Sequence, residues 1–245
     1  MALLTEAQQA AGYQPKQNEC SELRCFFFVL FAPKIKSICV YPRASAVKEM
    51  NPFDSDIAAL ERKYSSQPTG QIVFYGSSSI RLWPFLAREF PTRKIENWGF
   101  GGSNLSDCAH FFEQAIVPRE PKGMVFYAGD NDLARGATSS EVWESLRTML
   151  DAKEARLPQT PFAFLSLKPS PSRLELRGPI EETNEWCERE ISSRSNANWV
   201  DIFSPMLGED GWGRRELFMP DLLHLSRAGY GVWNAALKGE LAWLS

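Results

Sequence analysis

"QIVFYGSSSIRLW", residues 71–83, joins an apolar, β-branched and aromatic run to one glycine, three serines and the start of a helical pattern. A run of this length and composition predicts a buried strand, and the glycine and serines after it predict a tight turn into a helix. Four more runs of the same kind follow: "KIENW" (94–98), "GMVFYA" (123–128), "FAFLSL" (162–167) and "NWVDIF" (198–203). Helical segments alternate with them. "NPFDSDIAALERKYSSQP" (51–68) offers Asp54 as a cap, and "IRLWPFLAREF" is helix-like apart from Pro84. In "SNLSDCAHFFEQAI" the residues Leu105, Cys108, Ala109, Phe112 and Ile116 repeat at helical spacing behind a Ser103 or Asn104 cap. Thr138 with Glu141 forms a capping-box signature, a helix surrounds "IEETNEWCEREI", and "SRAGYGVWNAALKGELAWL" closes the chain as a helix despite its glycines. Short apolar strands separated by helices require crossover connections. The expected fold is therefore α/β: a three-layer α/β/α sandwich around a five-stranded parallel sheet.

Composition narrows the function. The chain has 245 residues, 44% hydrophobic and 23% charged, with a net charge of −3 and no basic cluster, so no nucleic-acid partner is expected. The five cysteines are scattered, without zinc-site spacing, which points to a reducing compartment and a cytoplasmic protein; secretion is the alternative. "CFFFVLFA" (25–32) is too short to span a bilayer, and acidic residues precede it where a signal peptide carries positive charge, so no stable membrane insertion is expected. Residues 1–50 lack periodicity and read as a partly disordered extension, leaving 51–245 as one domain.

In open α/β sheets the ligand site lies outside the carboxyl ends of the strands. There this chain carries "GSSS" (76–79), "GFGGSN" (99–104), "GDND" (129–132) and, after the fifth strand and a loop, "PDLLHLS" (220–226). Of two histidines, His110 falls on a predicted helix and reads as structural, whereas His224 follows Asp221 by three residues. A serine nucleophile needs a general base, and the imidazole needs an orienting carboxylate. A developing oxyanion needs fixed donors, which a glycine N–H and an asparagine amide supply.

These blocks resemble the SGNH or GDSL-type hydrolases, whose motifs contribute Ser, Gly, Asn and His in that chain order. The resemblance implies a flavodoxin-like α/β/α fold, a serine esterase working through an acyl-enzyme, and no cofactor or metal. It implies Ser78 as nucleophile, His224 as base and Asp221 as its orienting partner. The oxyanion hole would be the Ser78 and Gly102 N–H groups with the Asn131 amide. The substrates expected are small or short-chain acyl esters, such as acetylated sugars or lysophospholipid-like esters. Where relatives often carry Asp, this chain has Ser77, so the motif is G-S-S; Ser79 leads structurally into the helix.

Each block also has a plainer reading. Gly102 could serve only a tight turn, Asn131 could cap the next helix, and Asp221 could cap a turn. Asp130 and Asp132 together suggest metal ligands, although Asp132 is better read as fixing the loop that presents Asn131. Lys168 and Arg173 could lie near the substrate, but basic residues after a strand are usually solvated surface. A catalytically inactive binding module for carbohydrate or lipid is the alternative function.

Overall fold

All five apolar runs form strands in the computed structural model, which describes residues 51–244; the expected extension over 1–50 lies outside the described residues. The strands are β1 (Ile72–Gly76), β2 (Ile95–Gly99), β3 (Gly123–Tyr127), β4 (Phe162–Leu165) and β5 (Ala197–Val200). They make one sheet of order β2-β1-β3-β4-β5, every pair parallel. This is the flavodoxin-like order, and its direction of winding reverses between β1 and β3, the place at the strand ends where ligands bind in sheets of this kind.

Helices α1 (Asp54–Tyr64), α2 (Ser78–Arg81), α3 (Leu86–Glu89), α4 (Leu105–Ala115), α5 (Asp130–Ala134), α6 (Ser139–Arg156), α7 (Arg177–Ser192) and α8 (Arg227–Glu240) fill the connections. On one face α4 packs against α1 and α6, and α6 against α7. On the other, Trp83 stacks on Tyr230 of α8 and meets Trp233 edge-on. The strand pleat feeds both layers. Phe74 of β1 packs against Trp83 and Phe90, while its neighbour Tyr75 turns the opposite way and its hydroxyl donates to the Cys108 carbonyl at 2.7 Å.

Local signals decide the helix starts. Thr138 Oγ1 accepts from the Glu141 N–H, whose carboxylate accepts from the Thr138 N–H, as the capping box predicts. Asn104 rather than Ser103 caps α4, in a second such box with Asp107. Two expectations need correction. Asp54 is the first residue of α1 rather than its cap, and its carboxylate accepts from the Asn51 N–H. The segment after the serines is two one-turn helices rather than one broken helix, because Pro84 offers no N–H and holds Trp83 out of helical geometry. Among the described residues, no helix is long and apolar enough to cross a membrane.

Candidate active site

The turn after β1 sorts the three serines. Gly76 has φ +138°, and a Cβ there would stand 1.9 Å from the Tyr127 carbonyl oxygen on β3, so only glycine fits. That close approach lets the Ser77 N–H donate to the same carbonyl at 3.0 Å. Ser77 and Ser79 are buried, at 1% exposure each, with hydroxyls that find no hydrogen-bond partner among the described residues. The Ser79 carbonyl accepts from the Tyr230 hydroxyl of α8 at 2.9 Å. Ser78, the first residue of α2, is the one member of the run that is partly exposed. A side chain that must meet a substrate has to be reachable, and burial removes its two neighbours from that role.

The glycine and asparagine blocks meet each other. Gly102 has φ +81° and open space where a Cβ would stand, so its backbone needs glycine without any neighbour crowding it. Its carbonyl accepts from Arg135 at 2.8 Å, and the same guanidinium donates to Asn104. Asn131 lies within α5, whose N-terminal flanking residue is Gly129, so it does not cap that helix. Its Nδ2 donates to the Ser103 carbonyl at 3.0 Å, and its Oδ1 accepts from Arg173 Nη2 at 2.7 Å. The carboxamide thus spans the "GFGGSN" loop and the segment after β4.

Asp132 ties the two loops by accepting the Leu105 N–H at 3.0 and 3.1 Å through its two oxygens. Burial pushes its carboxyl up to about 6, against the backbone hydrogen bonds that favour the charged form. A value raised on folding means the native state holds a proton that the unfolded chain releases. Its stabilising effect is present below the ordinary aspartate range and is lost as pH rises through about 6. Thermal melts between pH 4 and 7 should therefore show wild type losing more stability than Asp132→Asn on going up in pH; parallel curves would contradict this.

Asp221 and His224 form the third part. The imidazole Nδ1 lies 2.6 Å from Asp221 Oδ2, while Asp221 Oδ1 accepts the N–H groups of Leu223 and His224 at 3.0 Å each. Asp221 therefore holds its turn and the ring at once. Burial would raise this carboxyl, but the His224 ring and the two backbone donors outweigh it and hold it down at about 2. The turn is strained, with Leu222 at φ +56°, and is pinned by the Met219 N–H on the His224 carbonyl and the Ser172 N–H on the Leu222 carbonyl. It leads through Ser226, the cap of α8, into the helix whose Tyr230 reaches back to Ser79. No hydrogen bond joins Ser78 to His224 among the described residues; such bonds often tighten only when substrate binds.

Of the two readings of Lys168 and Arg173, the solvated-surface one is overturned. Neither is solvated surface: they are 2% and 9% exposed, and both meet Asp130, through Lys168 Nζ at 2.5 Å and Arg173 Nη1 at 2.8 Å. Burial alone would raise the Asp130 carboxyl, but the two cations outweigh it and lower it. Lys168 also contacts the Tyr127 hydroxyl at 3.2 Å and senses the charge of Asp221. The cluster so lies between Asn131 and the histidine turn. The two carboxylates of "GDND" thus have separate partners, Asp130 the buried cations and Asp132 the backbone of α4. The only signal for the cluster in the sequence was that an acid and two bases all follow strand ends, and nothing in their spacing pairs them.

Among solved structures, the chain resembles a GDSL-like lipase from Bacteroides thetaiotaomicron, with a TM-score of 0.63 and 21% identity over 76% of this chain and 94% of that one. A lipase/acylhydrolase from Enterococcus faecalis gives 0.58 and 21% over 70% and 96%. A variant of an acetyl-xylooligosaccharide esterase from Geobacillus Stearmophilus gives 0.58 and 15% over 73% and 98%. No match is found among curated protein sequences. The profile of the GDSL-like Lipase/Acylhydrolase family matches residues 71–232, from the start of the sheet into α8. That span is well over half of the chain and takes in all four strand-end blocks, so the chain belongs to the family of GDSL-like lipases and acylhydrolases, hydrolases of ester bonds.

Proposed function

We propose that this protein is a serine esterase acting through an acyl-enzyme at Ser78, on small or short-chain acyl esters such as acetylated sugars or lysophospholipid-like esters. The observation that carries the reading is the Asp221–His224 pair at 2.6 Å, which occupies Nδ1 and leaves Nε2 to exchange a proton. Ser78 Oγ attacks the acyl carbonyl while His224 takes its proton. The N–H groups of Ser78 and Gly102 and the Asn131 amide hold the tetrahedral oxyanion. As the intermediate collapses, the C–O bond to the alcohol breaks and His224 returns the proton to that oxygen. Water then attacks the acyl-enzyme with His224 again as base, releasing the acid and regenerating Ser78.

Support for the short-acyl substrate class comes from likeness in fold to an acetyl-xylooligosaccharide esterase. Cytoplasmic placement belongs to the same proposal, and the buried, unpaired thiols of Cys108 and Cys187 are consistent with it. The test is labelling of the folded chain with a fluorophosphonate, followed by peptide mass mapping. Ser78 should carry the adduct, with Ser77 and Ser79 unmodified. A folded protein that stays unlabelled would instead point to a binding module. A panel of p-nitrophenyl esters graded by acyl length, with acetylated oligosaccharides beside it, would then separate the substrate classes.

A further inference from the structure

We propose that Arg173 is a positioning residue for the oxyanion hole, one that fixes the Asn131 carboxamide with its N–H groups toward the reacting centre, and that Asp130, itself paired with Lys168, holds Arg173 in place. The inference rests on the esterase reading above. A carboxamide can turn over and exchange its oxygen for its nitrogen at little cost unless its neighbours discriminate. Turned the wrong way, Asn131 would present a carbonyl dipole to the oxyanion and repel it. Two one-sided partners prevent this. Arg173 has donors only, so the atom 2.7 Å from its Nη2 has to be Oδ1; the Ser103 carbonyl only accepts, so the atom 3.0 Å from it has to be Nδ2. With one Nδ2 hydrogen on Ser103, the second remains to donate to the substrate.

Charge adds to orientation. A guanidinium on the amide oxygen draws electron density through the carboxamide and strengthens its N–H as a donor. Asp130 meets two cations, Lys168 Nζ at 2.5 Å and Arg173 Nη1 at 2.8 Å, so the buried cluster carries one positive charge in excess beside the place where negative charge develops. The Nη1 contact is an ion pair without hydrogen-bond alignment, which leaves the directed bond of this guanidinium to Asn131. Removing Arg173 leaves Lys168 and Asp130 as a matched pair, so the fold has no unpaired buried anion to expel.

The test is a double-mutant cycle on kcat and KM for p-nitrophenyl acetate, with circular dichroism melts as the folding control. Arg173→Met should lower kcat by about tenfold or more with KM within about twofold, and Arg173→Lys, which keeps the charge, should recover part of the loss. In an Asn131→Ala background the same Arg173→Met change should cost less than about twofold, because its route to the oxyanion is gone. Equal losses in both backgrounds would overturn the proposal, as would a raised KM at unchanged kcat, which would make Arg173 a substrate-binding group. If Arg173→Met does not fold, Arg173→Gln carries the same cycle with the same outcomes. Should the esterase reading itself be wrong, Ser78→Ala would stay active. Should only this inference be wrong, Ser78→Ala and Asn131→Ala would both be crippled and the cycle would be additive.

Discussion

Ser78→Ala should lower turnover of p-nitrophenyl acetate by about ten-thousandfold or more while leaving the melting temperature nearly unchanged. The first half follows from chemistry: without the hydroxyl no acyl-enzyme forms, and only the oxyanion donors and binding remain to act on water. The second half follows from surroundings. Ser78 is partly exposed at the start of a one-turn helix, and no hydrogen bond of its side chain supports the fold among the described residues. The neighbouring serines provide the control. Ser77 and Ser79 bury hydroxyls that have no partner among the described residues, so alanine at either should keep activity and hold or raise stability. Hydrolysis surviving in Ser78→Ala, or vanishing in a well-folded Ser79→Ala, would refute the assignment of the run.

Asn131→Ala should cost about a hundredfold to a thousandfold in kcat, the usual effect of losing one oxyanion donor, with a much smaller change in KM. The amide contributes little to holding the ground-state carbonyl, because its donor is set for the charge that appears in the tetrahedral intermediate. The rate of phosphonylation at Ser78 should fall in parallel, since that adduct passes through a similar charged geometry. A mutant in which KM alone rises would show that Asn131 binds substrate rather than the transition state. Stability should drop as well, since Asn131 links the Ser103 carbonyl to Arg173, and melts recorded beside the kinetics separate the two effects.

The replacement of the family's frequent Asp by Ser77 now has a structural setting. The position is buried, the backbone N–H is taken by the Tyr127 carbonyl, and the hydroxyl has no partner among the described residues. A serine tolerates that setting at the modest cost of one unpaired hydroxyl, whereas an ionised carboxylate would need a cation or several donors around it. The buried positive charge near the strand ends comes instead with Asp130 as its counterion.

The strands and most helix starts were legible because their causes are local. Five apolar runs of strand length each became a strand, and the Thr138–Glu141 box capped α6 as its spacing predicts, since a capping box is closed within four residues. Pro84 was seen as an interruption, but its effect was larger than periodicity suggested: with so few residues on either side, each fragment reached only one turn. Asp54 misled for the opposite reason, because a carboxylate near a helix start can serve the position before it or after it, and only backbone geometry distinguishes them.

Chain order alone determined that this is a parallel α/β protein and that Ser78, Gly102, Asn131 and His224 each follow a strand, because both conclusions depend on residue type and sequence spacing. Tertiary structure alone decided which of three adjacent serines stays accessible, since the backbones of Ser77 and Ser79 are tied to Tyr127 and Tyr230, from a strand and a helix far along the chain. It alone decided, too, that Lys168 and Arg173 are buried on Asp130 and that Arg173 donates to the Asn131 amide oxygen. Those contacts join residues about forty positions apart, and the energy of an ion pair depends on distance and burial in space, neither of which is written in the order of the residues.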